Sequence, residues 1–136
     1  MIQEAYVSFE IAKLLKEKGF DENTLMVYMS YGDLCKCNRY DSIRNSNYND
    51  ITKNYFECTA PTHQMAMKWL REIHNKHCDI GYDIDLHWFF QIIDLKETVE
   101  YDYPGTKYYH TENETGFNSY EEAVEAALKY CLQNLI

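Results

Sequence analysis

Nine side chains offer this chain most of its binding chemistry: Arg39, Tyr40 and Arg44 in one polar stretch, Arg71 and His87, and Lys107, Tyr108, Tyr109 and His110 in a second polar stretch. A guanidinium grips phosphate oxygens in pairs, so Arg39 and Arg44 suit an anionic ligand. Tyr108 or Tyr109 would stack on a base. Together these residues predict a small nucleotide-type ligand held without turnover. The plainer alternative is that both stretches are solvated loops, since loops are polar whether or not they bind.

Cysteine and histidine are the other reactive types. Cys35, Cys37, Cys58, His63, His74, His77 and Cys78 are the residue types that bind zinc. Their spacing does not suit it. Cys35-x-Cys37 directs both thiols to one face of a strand, and a structural zinc site normally uses tighter paired motifs. His74 and His77 fit equally well as cations at the negative end of a helix. Cys58 with His63, or Cys78 with His87, would supply a thiol and a base, but no local motif marks a nucleophile with its oriented partner. No metal, cofactor or catalytic residue is therefore expected. The five glycines, at 19, 32, 81, 105 and 116, form neither a GxGxxG turn nor a Walker A loop.

Charge narrows the partners. Thirteen basic against twenty-two acidic residues leave a formal charge of −9, which repels a nucleic acid polymer. Asp79, Asp83, Asp85, Glu97, Glu100 and Asp102 alternate with apolar residues, as on a solvated strand face, and also suit a basic partner protein. The thirteen tyrosines fit either a binding face or the rim of a small core. The start Met1-Ile2-Gln3-Glu4-Ala5 lacks a basic segment followed by an apolar run, so no secretory signal is expected, and no stretch is apolar for long enough to predict a membrane span. The five cysteines then suggest free thiols in a reducing cytoplasm.

Three helices and an aromatic strand region must position these groups. Ser8 caps a helix with the stripe Ile11, Leu14 and Leu15, and Gly19 ends it; Lys13, Lys16, Glu17 and Lys18 should face water. Thr62 to Asn75 reads as a second helix, with Met65, Ala66, Trp69, Leu70 and Ile73 inward. Ser119-Tyr120-Glu121-Glu122 is a capping box opening a third, whose stripe is Val124, Ala127, Leu128, Cys131, Leu132 and Leu135. Between them, 25–31 and 34–37 predict a hairpin and 55–59 a short strand. Residues 78–84, 86–95 and 98–103 predict an antiparallel meander, with 86–95 central because both of its faces are apolar. Residues 38–54 and 107–118 read as long polar loops. The expected fold is a single α+β domain over 1–136, an antiparallel sheet of hairpin plus meander packed by two to three helices.

The stretch Ala60 to Asn75, in which Pro61-Thr62 leads to Met65-Ala66, Lys68-Trp69-Leu70-Arg71-Glu72 and His74-Asn75, is one of three informative segments. The others are Ser119-Tyr120-Glu121-Glu122-Ala123 leading to Tyr130-Cys131-Leu132, and Ser8 to Asp21. Together they resemble a group of small uncharacterised proteins of bacteriophages and mobile elements. The resemblance implies a viral or mobile-element setting and carries no activity across. With the two cation-and-tyrosine-bearing stretches, the lack of catalytic motifs and the free cysteines, this setting gives the expectation of a cytoplasmic, homo-oligomeric, non-catalytic binding module, in its sharpest form a host-defence antagonist sequestering a nucleotide-derived signal. The alternatives are an acidic inhibitor that docks on a host protein and a small Cys/His hydrolase.

Overall fold

The structure, a computed structural model, describes residues 1–37, 42–46, 55–84, 86–96 and 115–136, and the backbone of 107–109. It is α+β, with helices packed on antiparallel sheets. The chain divides into two compact units, Met1–Thr62 and His63–Ile136.

In the first unit, α1 (Phe9–Glu17) begins where the Ser8 hydroxyl accepts a hydrogen bond from the Ile11 N–H at 3.2 Å. It ends at Gly19, whose φ of +91° is the left-handed exit that glycine adopts without steric cost. Its buried residues are Ile11, Ala12 and Leu15, whereas Leu14, expected in the same stripe, is only half-buried. Lys16 departs from the expected solvent face. Its stem is half-buried, its ammonium lies 6.0 Å from the Phe56 ring centre and it donates to the Glu57 carbonyl, because a lysine stem covers apolar surface readily.

β1 (Met26–Met29), β2 (Leu34–Lys36) and β3 (Phe56–Ala60) make a three-stranded antiparallel sheet in the order β2-β1-β3, so the predicted hairpin and the strand at 55–59 share one sheet. Val27, Ile43 and Phe56 form a small core with Met29, Cys35 and Cys37 against it. Buried Asn45 ties the unit together. Its amide donates to the Phe20 carbonyl at 2.7 Å and accepts from the Thr59 N–H at 2.9 Å.

The second unit starts with α2 (His63–His74), which ends at Asn75 with φ 57°. Its buried face is His63, Ala66, Met67, Trp69 and Leu70. The expected inward face is thus rotated: Met65 and Ile73 are 37% and 59% exposed. Residues 63, 66, 67 and 70 repeat at the three-and-four spacing of one helix face, which the periodicity of 65, 69 and 73 concealed.

β4 (Lys76–Tyr82), β5 (Trp88–Asp94), β6 (Lys107–Tyr109) and β7 (Thr115–Phe117) form a four-stranded sheet, and α3 (Tyr120–Asn134) and α2 pack on each other and on β4. β5 is central, as its apolar faces predict; β4 lies on one side and β6 and β7 follow one another along the other. The strands β6 and β7 correct the expected loop at 107–118. Each has three residues, too short for alternation to show. The expected strand at 98–103, most of the loop at 38–54 and the remainder of the second loop lie outside the described residues.

Ser119 caps α3 by accepting from the Glu122 N–H at 3.1 Å, and the Glu122 carboxylate returns to the Asn118 N–H at 2.9 Å, one residue earlier than a capping box prescribes. Ala123, Val124, Ala127, Leu128, Cys131 and Leu132 are buried, whereas Leu135, the C-cap, is half-buried. Among the described residues no helix is long and apolar enough to cross a membrane.

Candidate functional site

β4 and β5 pair in register from Lys76↔Asp94 to Tyr82↔Trp88, and the chain reverses between Asp83 and His87. Asp83 builds the turn. Its N–H donates to the His87 carbonyl at 2.9 Å, its carbonyl accepts from the Leu86 N–H at 3.2 Å, and its carboxylate accepts from the His87 N–H and the Thr115 hydroxyl, each at 3.1 Å. The last position of such a three-residue hairpin loop requires a left-handed backbone, for which glycine is the ordinary choice. Here it is Leu86, with φ 66°.

Behind the turn the aromatic rings are stacked in series. Tyr82 meets Trp88 at 5.0 Å between centroids, Trp88 meets Tyr120 edge-on at 5.5 Å, and the Tyr120 hydroxyl accepts from the Gln64 amide at 3.1 Å. In front of it, apolar side chains stand in solvent: Tyr82 is 54%, Ile84 97% and Leu86 74% exposed. A rigid base thus carries a bare apolar tip.

The sequence of the second unit is one-sided in charge. Of the formal −9, residues 63–136 hold −7, from six basic and thirteen acidic side chains. No lysine or arginine occurs from Cys78 through Leu95, or from Tyr108 through Leu128, while Asp79, Asp83, Asp85, Glu121 and Glu122 fall in those runs. Glu121 and Glu122 are exposed in the first turn of α3, beside the Tyr120 that packs on Trp88.

The residues expected to bind a nucleotide are distributed differently. Arg39, Tyr40 and His110 lie outside the described residues. Arg44 is exposed in the first unit, its Nε donating to the Asn23 side chain at 3.2 Å. In the second unit Arg71 is in the last turn of α2 and His87 is at the hairpin turn. Lys107, Tyr108 and Tyr109 pair through their backbones with Asp94, Ile93 and Ile92. His87 and Lys107 therefore stand at opposite ends of β5, about 20 Å apart at the usual rise per residue. Cys78 is opposite Ile92, which puts it about 16 Å along the sheet from His87, too far for a thiol and its base.

The other reactive groups are built into the packing. Cys78 and Cys131 are buried and share a hydrogen bond, which together with burial holds the Cys78 thiol well above its ordinary range. Burial pushes the Cys58 thiol up to about 12, partly offset by Lys16. Neither resembles an activated nucleophile. His74 sits on α2 with its ring 4.6 Å from Trp69, and His77 is on β4. Among the described residues no three His, Cys, Asp or Glu side chains gather as a metal ion would require. His63 is buried at the start of α2 with Nε2 3.5 Å from Glu125 Oε1.

No family model, curated protein or solved structure matches this chain. The site is thus described by its own geometry.

Sequence reading missed the tip. Ile84 and Leu86 lie at the end of one predicted strand and the start of the next, where aliphatic residues pass for core. A signal was present: strands ending at 84 and starting at 86 leave only Asp85 to turn the chain, fewer than the two residues a hairpin needs, so Ile84 or Leu86 had to leave the ladder.

Proposed function

We propose that this protein is a non-catalytic binding module that docks on a basic surface of another protein through the hairpin end of its second unit. The observation that carries this reading is the coincidence of a cation-free run of carboxylates with a bare apolar tip on a braced turn. Charge of one sign speeds encounter with a basic partner and disfavours acidic ones, and apolar side chains at the centre supply the affinity.

The nucleotide-sequestering alternative draws on residues outside the described region and on His87 and Lys107, which lie at opposite ends of β5. It has less support. The phage-type, cytoplasmic setting is part of the proposal, and unpaired Cys35, Cys37, Cys58, Cys78 and Cys131 suit a reducing compartment.

Immobilised protein exposed to a crude bacterial extract tests the reading. The expected result is retention of proteins enriched in basic residues at about 50 mM salt and their release by about 300 mM, since screening shortens the reach of exposed charges. Retention indifferent to salt, or a co-purified small molecule seen by native mass spectrometry, would overturn it.

A further inference from the structure

Resting on that reading, we infer that Ile84 and Leu86 are the anchor of the docking surface and that they receive a cationic amphipathic segment of the partner, apolar side chains flanked by lysine or arginine. The first support is backbone strain. A leucine held at φ 66° costs stability that a glycine in the same place would not. At 74% exposure Leu86 recovers little of that cost by packing within its own fold. A strained, solvent-facing apolar side chain is accounted for by contact with something outside the chain.

The second support is charge. Asp83 in the turn and Glu121 and Glu122 in the first turn of α3 accompany the tip, and the sequence runs 78–95 and 108–128 carry no lysine or arginine. This selects among the possible occupants. A second copy would bring the same carboxylates against these and be repelled, and an anionic lipid surface would be repelled likewise. A segment carrying both apolar groups and cations satisfies the tip and its rim at once.

The third support is preorganisation. Asp83 fixes the turn by backbone and side chain, Thr115 holds its carboxylate from β7, and Trp88 supports Tyr82 from below. Little ordering entropy remains to be lost when the tip is covered.

The test uses the full chain and two defined probes: a synthetic peptide of about 18 residues in which leucine and lysine alternate at helical spacing, and an oligolysine of equal charge. Calorimetry at about 50 mM salt should show the amphipathic peptide binding at least about tenfold more tightly than oligolysine, a difference of one methylene-rich contact or more. Ile84→Ser and Leu86→Gly should each remove most of that preference while leaving oligolysine binding unchanged. Leu86→Gly is the informative variant, because it relieves the backbone and so keeps the fold.

If both peptides bind equally, or the two variants bind the amphipathic peptide as the parent does, the anchor is wrong while acidic docking stands. If neither peptide binds, the acidic docking surface itself fails and the anchor with it. Concentration-dependent self-association abolished by Leu86→Gly would make a second copy the occupant, and sedimentation with zwitterionic phosphatidylcholine vesicles would make it a lipid surface; either overturns the inference.

Discussion

Lys76 and Asp94 face each other across the first rung of the β4–β5 ladder, with side chains only 13% and 5% exposed, and their ammonium and carboxylate are in direct contact. Asp94 also accepts from the Lys96 N–H at 2.9 Å. A buried pair of this kind contributes little net stability over an apolar replacement, but removing one partner strands a charge.

Asp94→Leu alone or Lys76→Met alone should therefore lower stability by about 3 kcal/mol. The double variant Lys76→Met/Asp94→Leu should recover most of the loss. Urea titrations of the three variants, analysed as a double-mutant cycle, check both statements.

Gly81 lies under the ring of Phe89, its partner in the β4–β5 register. A Cβ there would come within 2.3 Å of Phe89 Cζ, so the ring must move. Gly81→Ala should cost about 1–3 kcal/mol by overpacking. Adding Phe89→Leu to Gly81→Ala should cost less than the sum of the two single changes. Thermal melts followed by tryptophan fluorescence would show it, because Trp88 immediately precedes Phe89.

Leu86→Gly should melt at the same temperature as the parent or higher, with a gain of up to about 1 kcal/mol. Two terms oppose each other there, relief of the left-handed leucine and the larger unfolded-state entropy of glycine. Leu86→Val should be worse than the parent, since a β-branched residue tolerates that backbone less.

Alkaline pH should weaken the fold through Cys58. Its thiol is raised from 9.0 to about 12 by burial, with Lys16 pulling the other way. Below pH 9 both folded and unfolded forms keep the proton and the contribution is intact. Between pH 9 and 12 the unfolded chain releases it while the folded chain does not, so stability falls with rising pH by up to about 1.4 kcal/mol per unit. The Cys78 thiol, raised by its bond to Cys131 and by burial, acts in the same direction. Cys58→Ala should flatten part of this slope in denaturation curves collected from pH 8 to 11.

The helices were legible because their ends carry local chemistry. Ser8, Gly19 and Ser119 act within three residues of themselves, and all three do what their types predict. The apolar character of β5 likewise announced the central strand of its sheet, though only the face of Phe90, Ile92 and Asp94 is fully buried. What failed to show depends on distant partners. Nothing in Lys107-Tyr108-Tyr109 or Thr115-Gly116-Phe117 indicates that each segment finds β5, and two strands of three residues have no period to detect. The apolar spacing of Met65, Trp69 and Ile73 points to an inward face that the helix does not use, since it turns His63 and Met67 to the interior instead. The tip was hidden for the opposite reason: Ile84 and Leu86 look like core by type, and only turn geometry exposes them.

Among the described residues every rung of the second sheet has β5 as one of its two members, since β4, β6 and β7 all pair with it. It acts as a shared spine. Losing or gaining a single residue within 88–94 would turn side chains to the wrong side of the layer beyond that point and misalign its neighbours together. The amides of this strand should therefore exchange with deuterium more slowly than those of the three strands that lean on it, and they should open as one cooperative event.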